Sequence, residues 1–201
     1  MYLFGGSGHA RVIRDIIEAC GYTLEGVIDN NPNLTDFMGI TVLHDLDDRV
    51  KQMIISIGSN KIRCRIGEEY AGKVEFPFVV HPSVVKSPFI EIGEGTVVMQ
   101  GAILQSGVSI GRHCIINTGA SLDHECVIGD YAHISPHATL CGNVHVGEGT
   151  WVGAGSVAIP GIRIGKWSVV GAGSVIVRDI PDGVVAYGNP CKVIRKIQID
   201  R

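Results

Sequence analysis

The residues best suited to chemistry in this sequence are His124 and Glu125, which are adjacent. A histidine can take a proton from a nucleophile at neutral pH, and a general base of this kind contributes about 10²–10⁴-fold to a rate. A neighbouring carboxylate can hold the imidazole in its basic tautomer. Because neighbours on a strand point to opposite faces, Glu125 can serve His124 only if the pair lies at a corner of the chain. Asp123 is the alternative partner.

A second set of candidate residues follows apolar runs in the first sixty residues. Gly6-Ser7-Gly8 stands between a predicted strand and a predicted helix, where backbone N–H groups can hold phosphate; a simple tight turn is the alternative. Asp29-Asn30 ends a second run, and Gly58 and Asn60 end a third. Polar side chains at the carboxyl ends of parallel strands can read ribose hydroxyls or a base edge. Since the third glycine of a dinucleotide fingerprint is missing, we interpret this region as a nucleotide-sugar pocket.

The element that must position His124 is a six-residue repeat. An aliphatic residue recurs at every sixth position from Ile92 to Ile176, with Ala158 as the exception, and a small residue follows four positions after nearly every one. A period of six fits neither an α-helix nor alternating strands. It predicts a solenoid with three flat faces and eighteen residues per turn, in which the aliphatic column points inward and the small column lets the chain turn. Five such turns would make a prism roughly 24 Å long.

The eighteen-residue turn relates His124 to two other residues. Gly142 is one full turn further on and therefore stacks on the same column. A glycine there leaves room for a reacting carbonyl beside the imidazole, and its N–H can polarise that carbonyl; an ordinary corner glycine is the alternative. His133 is half a turn away, so one chain does not bring it to His124. Three further histidines have no such partner and are expected on the surface: His113, His137 and His145.

Residues 1–79 lack the period of six. Predicted strands at 2–4, 24–28 and 53–57 alternate there with predicted helices at 10–20 and 61–70. This alternation predicts a small Rossmann-like α/β domain with a parallel sheet. We therefore expect an α/β domain over residues 1–79, a solenoid over 80–178, and a tail over 179–201 that caps the prism.

Composition excludes several classes of function. A net charge of -3 argues against nucleic acid or an anionic membrane as the main partner. No apolar run reaches the roughly 18 residues of a membrane span, and the first residues do not form a signal peptide, so a cytoplasmic protein is expected. The six cysteines include no C-x-x-C pair, and we expect neither a metal site nor a disulfide framework.

The six-residue pattern resembles that of the hexapeptide-repeat acyltransferases, whose solenoid is a left-handed parallel β-helix. The general preference for right-handed crossovers would have predicted the other hand. Five motifs narrow the resemblance to the sugar acetyltransferases of the bacillosamine, perosamine and sialic-acid branch. They are GGSGH at 5–9, IGSNKIR at 57–63, VHPS at 80–83, DHECVIGD at 123–130 and GNP at 188–190.

This resemblance implies an N-acetyltransferase that uses acetyl-CoA to acetylate the amino group of a UDP- or GDP-linked 4-amino-deoxy sugar in bacterial surface-glycan biosynthesis. It also implies a homotrimer with active sites between subunits, in which His133 of one prism can approach His124 of the next. By the same resemblance His124 is the base, Glu125 raises its basicity, and His133 and Gly142 contact acetyl-CoA. The implied sugar-nucleotide contacts are Gly8, His9, Asp29, Asn30, Gly58 and Asn60.

The sequence leaves three alternatives. The first is O-acetylation of sialic acid or a related sugar by the same base. The second is a metal-dependent hydratase similar to the γ-carbonic anhydrases, which also use hexapeptide trimers; the α/β domain argues against it. The third is a sugar-binding solenoid without activity. A coenzyme channel would also need positive charge, and six basic residues are expected to cluster at its end: Arg163, Lys166, Arg178, Lys192, Arg195 and Lys196.

Overall fold

The first seventy residues form a five-stranded sheet with two helices. The structure is a computed structural model that describes residues 1–197, so the last four residues of the expected tail, 198–201, lie outside the described residues. The elements are β1 (Tyr2–Phe4), α1 (Gly8–Ala19), β2 (Gly26–Ile28), β3 (Asp36–Phe37), β4 (Ile40–Leu43), β5 (Met53–Ile55) and α2 (Asn60–Tyr70). The sheet order is β3-β4-β2-β1-β5. Its four larger strands are parallel, as predicted, while β3 pairs antiparallel with β4 in a hairpin that the sequence patterns did not indicate.

The two helices cover opposite faces of this sheet because its strands alternate their side chains. Leu3 packs on the α1 side, whereas Tyr2 and Phe4 pack on the α2 side. The apolar face of α1 has the helical spacing read from the sequence, and its buried residues are Ala10, Ile13, Ile16 and Ile17. This arrangement brings the N-termini of both helices to the carboxyl edge of the sheet.

Residues 79–176 form a solenoid of two-residue strands arranged on three faces. The first face contains β6 (Val79–Val80), β9 (Val97–Val98), β12 (Ile115–Ile116), β15 (His133–Ile134), β18 (Trp151–Val152) and β21 (Val169–Val170). The second contains β7 (Val85–Lys86), β10 (Ile103–Leu104), β13 (Ser121–Leu122), β16 (Thr139–Leu140), β19 (Val157–Ala158) and β22 (Val175–Ile176). The third contains β8 (Glu91–Ile92), β11 (Ser109–Ile110), β14 (Val127–Ile128), β17 (His145–Val146) and β20 (Arg163–Ile164). All these strands pair in parallel with a register of eighteen residues, for example Leu122 with Leu140.

The inward column begins two repeats before Ile92, within the solenoid range of 80–178 expected from the sequence. Val80 and Lys86 occupy the inward register of the first turn, and Lys86 is exposed there because no coil lies beneath it. The small column also has a different place from the one expected. Its residues, such as Ala120 and Cys126, do not form the corners; they follow each corner and point into the prism, where they are fully buried with the aliphatic column.

The corners are formed by a third column of residues, each of which lies directly before a position of the small column. From residue 95 to residue 173, every sixth residue has a positive φ. Glycine reaches this left-handed region without strain, whereas other residues pay roughly 1–2 kcal/mol. Six of these positions are nevertheless not glycine: His113, Glu125, Tyr131, His137, Asn143 and Trp167.

The α/β domain packs on the first face of the solenoid, against its first three turns. The outward residues Val79, Val97 and Ile115 belong to the same buried cluster as the apolar residues of α1. The outward positions of the next two turns are His133 and Trp151, which are in register. His133 is still buried, whereas Trp151 is exposed, so the first face becomes open to solvent at Trp151.

The tail closes the other end of the prism. β23 (Val184–Gly188) continues the first face in parallel with β21, and β24 (Cys191–Lys196) pairs antiparallel with β23. Ile180, Val184 and Cys191 are buried in the prism core, so the tail covers the apolar interior at that end. Within residues 1–197, no helix has the length and apolarity needed to cross a membrane.

Candidate active site

His124 and Glu125 lie at the corner between the second and third faces, between β13 and β14. The Nδ1 atom of His124 is 3.3 Å from Oε2 of Glu125, and both side chains are largely exposed. Glu125 has a φ of 59°, so the backbone reverses between the two residues and both side chains can lie on the same side. The backbone N–H of His124 donates to Oδ1 of Asp123 at 2.7 Å. Asp123 therefore fixes the turn, and Glu125 is the carboxylate beside the imidazole. The catalytic roles of the pair stay a prediction.

Gly142 lies directly against the ring of His124, one turn along the solenoid. A Cβ atom built on Gly142 would overlap Nε2 and Cε1 of the imidazole. The φ of Gly142 is not positive, so it is not an ordinary corner glycine, and the missing side chain makes room for the imidazole itself rather than for a substrate carbonyl. Within residues 1–197 its N–H has no acceptor, while its carbonyl accepts from the Gly161 N–H at 3.0 Å. The N–H is thus available beside the imidazole.

The N-terminus of α1 lies at the carboxyl edge of the α/β sheet, and we call the region between this N-terminus, Asp29 and Gly58 the cleft. Ser7 precedes this helix, but its side chain makes no capping hydrogen bond and the first turn contains no acidic residue. By contrast, Ser59 caps α2 by accepting from the Ile62 N–H at 3.5 Å. A Cβ built on Gly8 or Gly58 would meet nothing within 4 Å, and neither residue has a positive φ. Neither packing nor backbone conformation requires glycine at these two positions. The Ala10 N–H donates to the Ser7 carbonyl at 3.1 Å, whereas the Gly8 and His9 N–H groups have no acceptor within residues 1–197 and can receive an anion.

Asp29 organises the glycine loop of this cleft. Its Oδ2 accepts from the Gly6 N–H at 2.7 Å, and its Oδ1 accepts from the Asn31 N–H at 2.9 Å. The carboxylate retains lone pairs for ribose hydroxyls, but its bonds within the chain hold the turn before α1. Asn30 is exposed at the rim. Their contact with a ligand stays a prediction.

His9 and His133, which the sequence assigned to different substrates, meet at the junction of the two domains. Burial, together with the nearby Arg63 and His9, lowers the pKa of His133 to about 3. Burial likewise lowers the pKa of His9 to about 4, again with a contribution from Arg63. Both imidazoles are therefore neutral at neutral pH. The Nε2 of His133 accepts from Nδ2 of Asn117 at 3.0 Å. Within residues 1–197, neither Nδ1 of His133 nor Nε2 of His9 has a hydrogen-bond partner.

Asn60 is buried between the domains rather than exposed to the cleft. Its Nδ2 donates to the Gly149 carbonyl at 3.0 Å, and its Oδ1 accepts from Nη2 of Arg63 at 2.8 Å. Its amide therefore ties α2 to the solenoid, and a direct contact with the sugar nucleotide stays a prediction.

His113 was expected on the surface, and this expectation was wrong. Its side chain is 1% exposed and stacks on Tyr131 with ring centroids 5.3 Å apart. Its position under α2 depends on domain packing, which the repeat does not encode.

A groove of about 390 Å³ runs beside the first face, from His133 towards the tail. On this face, Trp151 stacks on His133 with ring centroids 5.4 Å apart and donates from Nε1 to the Ser135 hydroxyl at 2.7 Å. Small residues in successive turns form the corner side of the groove: Pro136, Ala154 and Ala172. The groove spans three successive turns of the solenoid, from His133 to Ala172, so it can hold an extended ligand.

The six basic residues do not form one cluster. Arg163 and Lys166 line a different groove on the third face, and Arg178 follows the end of β22. Only Lys192, Arg195 and Lys196 belong to β24, which adjoins the first face through β23. Lys192 pairs with Tyr187, whose side chain lies against Gly171 in the groove wall. The expectation of a single basic cluster was therefore wrong, because residues close in sequence lie on different faces of the solenoid.

The residues that sequence reasoning missed are Arg63, Asn117, Tyr131 and Trp151. Two signals point to some of them. Tyr131 occupies the corner column, where a residue other than glycine is strained, and Trp151 interrupts the outward aliphatic positions of the first face. Arg63 and Asn117 carry no such signal. Within residues 1–197, no three histidine, cysteine or acidic side chains converge in a way that could hold a metal ion.

The α/β domain and the hexapeptide solenoid each match a known family. Residues 1–70 match the PglD N-terminal domain, and residues 143–178 match the bacterial transferase hexapeptide family of six repeats. The chain is 44% identical over 110 residues to UDP-N-acetylbacillosamine N-acetyltransferase of Bacillus subtilis (strain 168), an alignment that covers 48% of this chain and spans half the length of that enzyme. The fold and these matches are those of the hexapeptide-repeat acyltransferases.

Two solved structures extend this similarity to nearly the whole chain. A histidine-to-asparagine variant of perosamine N-acetyltransferase from Caulobacter crescentus, in complex with CoA and GDP-perosamine, is 36% identical with a TM-score of 0.91 and covers 97% of this chain and 96% of its own. The acetyltransferase domain of PglB from Neisseria gonorrhoeae FA1090, in complex with acetyl coenzyme A, is 33% identical with a TM-score of 0.88 and covers 96% and 98%. The chain belongs to this family of hexapeptide-repeat sugar N-acetyltransferases, and the predicted fold, a left-handed β-helix after an α/β domain, is confirmed.

Proposed function

We propose that this protein transfers an acetyl group from acetyl-CoA to the amino group of a nucleotide-linked amino-deoxy sugar. The observation that carries the proposal is the corner where His124 lies beside Glu125 and over Gly142, in a chain similar along its whole length to an enzyme solved with CoA and GDP-perosamine. Both an asparagine and an alanine variant of one histidine in that enzyme are solved with both molecules bound. A histidine at the reacting centre is consistent with such complexes.

The chemistry follows from the geometry of the corner. When Nδ1 of His124 donates to Glu125, the lone pair of Nε2 is free to accept a proton. The sugar amine attacks the thioester carbonyl carbon, and its proton passes to Nε2 as the C–N bond forms. The C–S bond then breaks, and the imidazolium returns the proton to the departing CoA sulfur. The Gly142 N–H lies beside the imidazole and can stabilise the oxyanion.

The nucleotide sugar is proposed to bind in the cleft of the α/β domain. The uncapped N-terminus of α1 offers free N–H groups to a pyrophosphate, and Gly8 and Gly58 let the ligand approach the backbone. His9 and His133 lie between this cleft and the groove. With Asn117 donating to its Nε2, His133 carries its proton on Nδ1, a buried donor without an acceptor. A substrate oxygen there would remove a penalty of about 1–3 kcal/mol.

Replacing Gly8 with alanine tests the cleft separately from the fold. A methyl group at Gly8 meets no protein atom, and alanine favours the helix, so the free energy of unfolding is expected to stay the same or rise by up to about 1 kcal/mol. The same methyl group would occupy the ligand's approach and raise KM for the nucleotide sugar about tenfold or more. Thermal unfolding and steady-state kinetics measure the two effects. A stable variant with normal KM would remove Gly8 from the site.

Asp29→Asn tests the division of labour between the domains. An amide cannot accept from both the Gly6 and Asn31 N–H groups, so the turn before α1 should loosen. Losing a hydrogen bond to a charged group costs about 1.5–3 kcal/mol of stability. Because the loosened turn no longer holds the N-terminus of α1 in place for the ligand, KM for the nucleotide sugar should rise roughly tenfold or more. KM for acetyl-CoA should not change. Equal effects on the two KM values would contradict separate sites.

Acetyl-CoA is proposed to lie in the groove beside the first face, which is extended and has Lys192 near its far end. This groove and His124 occupy different corners of the prism, so one chain does not complete the site. We therefore propose a homotrimer in which His124 of one prism faces the groove of the next. Mixed trimers of a His124→Ala chain and a chain with Ala154→Trp, which fills the groove, should regain activity that neither homotrimer has. Absence of such complementation would argue for a site within one chain.

The identity of the substrate is tested by direct assay. UDP-, GDP- and CMP-linked amino sugars are incubated with acetyl-CoA, and free thiol release is followed together with the mass of the product. Amide formation on an amino sugar supports the proposal, whereas ester formation would indicate O-acetylation. Since cells supply acetyl-CoA and nucleotide sugars in the cytoplasm, we propose that the reaction takes place there, in the synthesis of a surface glycan.

A further inference from the structure

Arg63 is a buried cation whose donors reach both domains. It is 1% exposed, and all its acceptors are neutral oxygens. On the α/β side, Nη1 donates to the carbonyls of Ile57 and Gly58 at 3.0 and 3.3 Å. On the solenoid side, Nε donates to the His113 carbonyl and Nη2 to the Tyr131 carbonyl, both at 2.7 Å. One planar side chain therefore joins the loop before α2 to two successive turns of the solenoid.

Stability alone does not account for an arginine at this position. Burial lowers the pKa of Arg63 to about 10, because the charged form loses water and no carboxylate within residues 1–197 pairs with it. Replacing a buried ionic group with an apolar side chain of similar volume is often neutral or stabilising. What an apolar side chain cannot supply is a rigid fork of donors with fixed directions. We therefore attribute the arginine at this position to the fixed directions of its donors rather than to the stability of the fold.

The geometry that Arg63 fixes is the position of residues 57–60 on the solenoid. The solenoid turns are held on both sides by ladder bonds, such as the Tyr131 N–H to Arg112 and the His133 N–H to Thr150, both at 2.9 Å. The loop has fewer bonds of its own: Arg63 holds its carbonyls at Ile57 and Gly58. Without the guanidinium, the loop should move and the solenoid should not.

We propose that Arg63 is a positioning residue that sets the nucleotide-sugar cleft against the strand bearing His133. The proposal rests on the proposed function, since it assigns Gly58 to the cleft and His133 to the meeting point of the substrates. Arg63 touches neither reacting group. It acts through the Gly58 carbonyl on one side and, on the other, through the Tyr131 carbonyl, two residues before His133.

The test compares Arg63→Met and Arg63→Lys with Arg65→Met, a change at an exposed arginine on the same helix. Hydrogen exchange in Arg63→Met is expected to accelerate about tenfold or more in residues 57–60, with no change in β1 or in distant solenoid turns. Calorimetry should show about tenfold or more weaker binding of GDP- or UDP-linked sugar and unchanged binding of CoA. Arg63→Lys keeps the charge without the fork and should be intermediate. Arg65→Met should match the wild type.

The remaining outcomes of these measurements also test the positioning role of Arg63. Wild-type exchange and affinity in Arg63→Met would overturn the proposal. Faster exchange throughout the chain, or equal weakening of both ligands, would show a merely structural role and also overturn it. If Arg63→Met does not fold, hydrogen exchange and ligand binding of Arg63→Lys provide the same test. A wild-type protein that binds no nucleotide sugar, together with a local exchange response in the variant, would refute the proposed function and leave the positioning of the loop standing.

Discussion

Replacing His124 with alanine is expected to reduce acetyl transfer at least about 100-fold, because the attacking amine then loses its general base. The fold should not change. The side chain is 60% exposed at a corner, and the corner's backbone bonds do not involve the imidazole. Thiol release under saturating substrates measures kcat, and thermal unfolding verifies the fold. The loss should appear in kcat, while the affinities for CoA and the nucleotide sugar remain, because the base acts mainly in the transition state.

The control for this prediction is His81→Ala. His81 lies at the first corner of the solenoid, where its Nδ1 is 2.7 Å from the Ser83 hydroxyl, and its removal should leave kcat unchanged. Glu125→Gln should fall between these two, since an amide still contacts Nδ1 but stabilises the imidazolium less. Near-normal turnover by a folded His124→Ala protein would refute the assignment of the base.

Gly142→Ala is expected to produce the second largest loss, about 10- to 100-fold in kcat, without touching a substrate. A Cβ there would overlap the imidazole of His124, and we expect the exposed ring to rotate away from Glu125. The backbone of Gly142 suits alanine because its φ is not positive, so stability should change little. A crystal structure of the variant should show the imidazole displaced.

A double-mutant cycle shows whether Gly142 acts through His124. If displacing the imidazole is the whole effect, the variant with both His124→Ala and Gly142→Ala should turn over as slowly as His124→Ala alone. If Gly142 also binds the oxyanion through its N–H, that contribution is common to both proteins and remains. A double variant much slower than His124→Ala would instead mean that the added methyl group obstructs the coenzyme.

The register of the solenoid was predictable because its ladders are strictly periodic. Every strand pairs with the strand eighteen residues away, so counting along the sequence was enough to place Gly142 on His124. The same regularity predicted the inward aliphatic column. It did not reveal that the small column is also core, because a six-residue pattern cannot distinguish a corner from the position after it.

The junction between the domains was not predictable in this way. His113 was expected on the surface and is buried under α2, and the bond from Asn60 to the Gly149 carbonyl was not foreseen, although its contact with the sugar nucleotide stays a prediction. Arg63 bonds to carbonyls 50 and 68 residues further along the chain. Carbonyl acceptors leave no trace in residue types, so no pattern in the sequence could assign its partners.

The sequence by itself determined the period, the class of fold and the stacking of a histidine over a glycine, because these depend on a local repeat with fixed register. Only the tertiary structure decided that Glu125 turns back beside His124, that His9 and His133 share one junction, and that the basic residues separate. Those facts depend on backbone reversal at a corner and on how a helix docks against the prism. Both are settled by packing between distant segments, where side-chain volume and direction, rather than residue spacing, govern which groups meet.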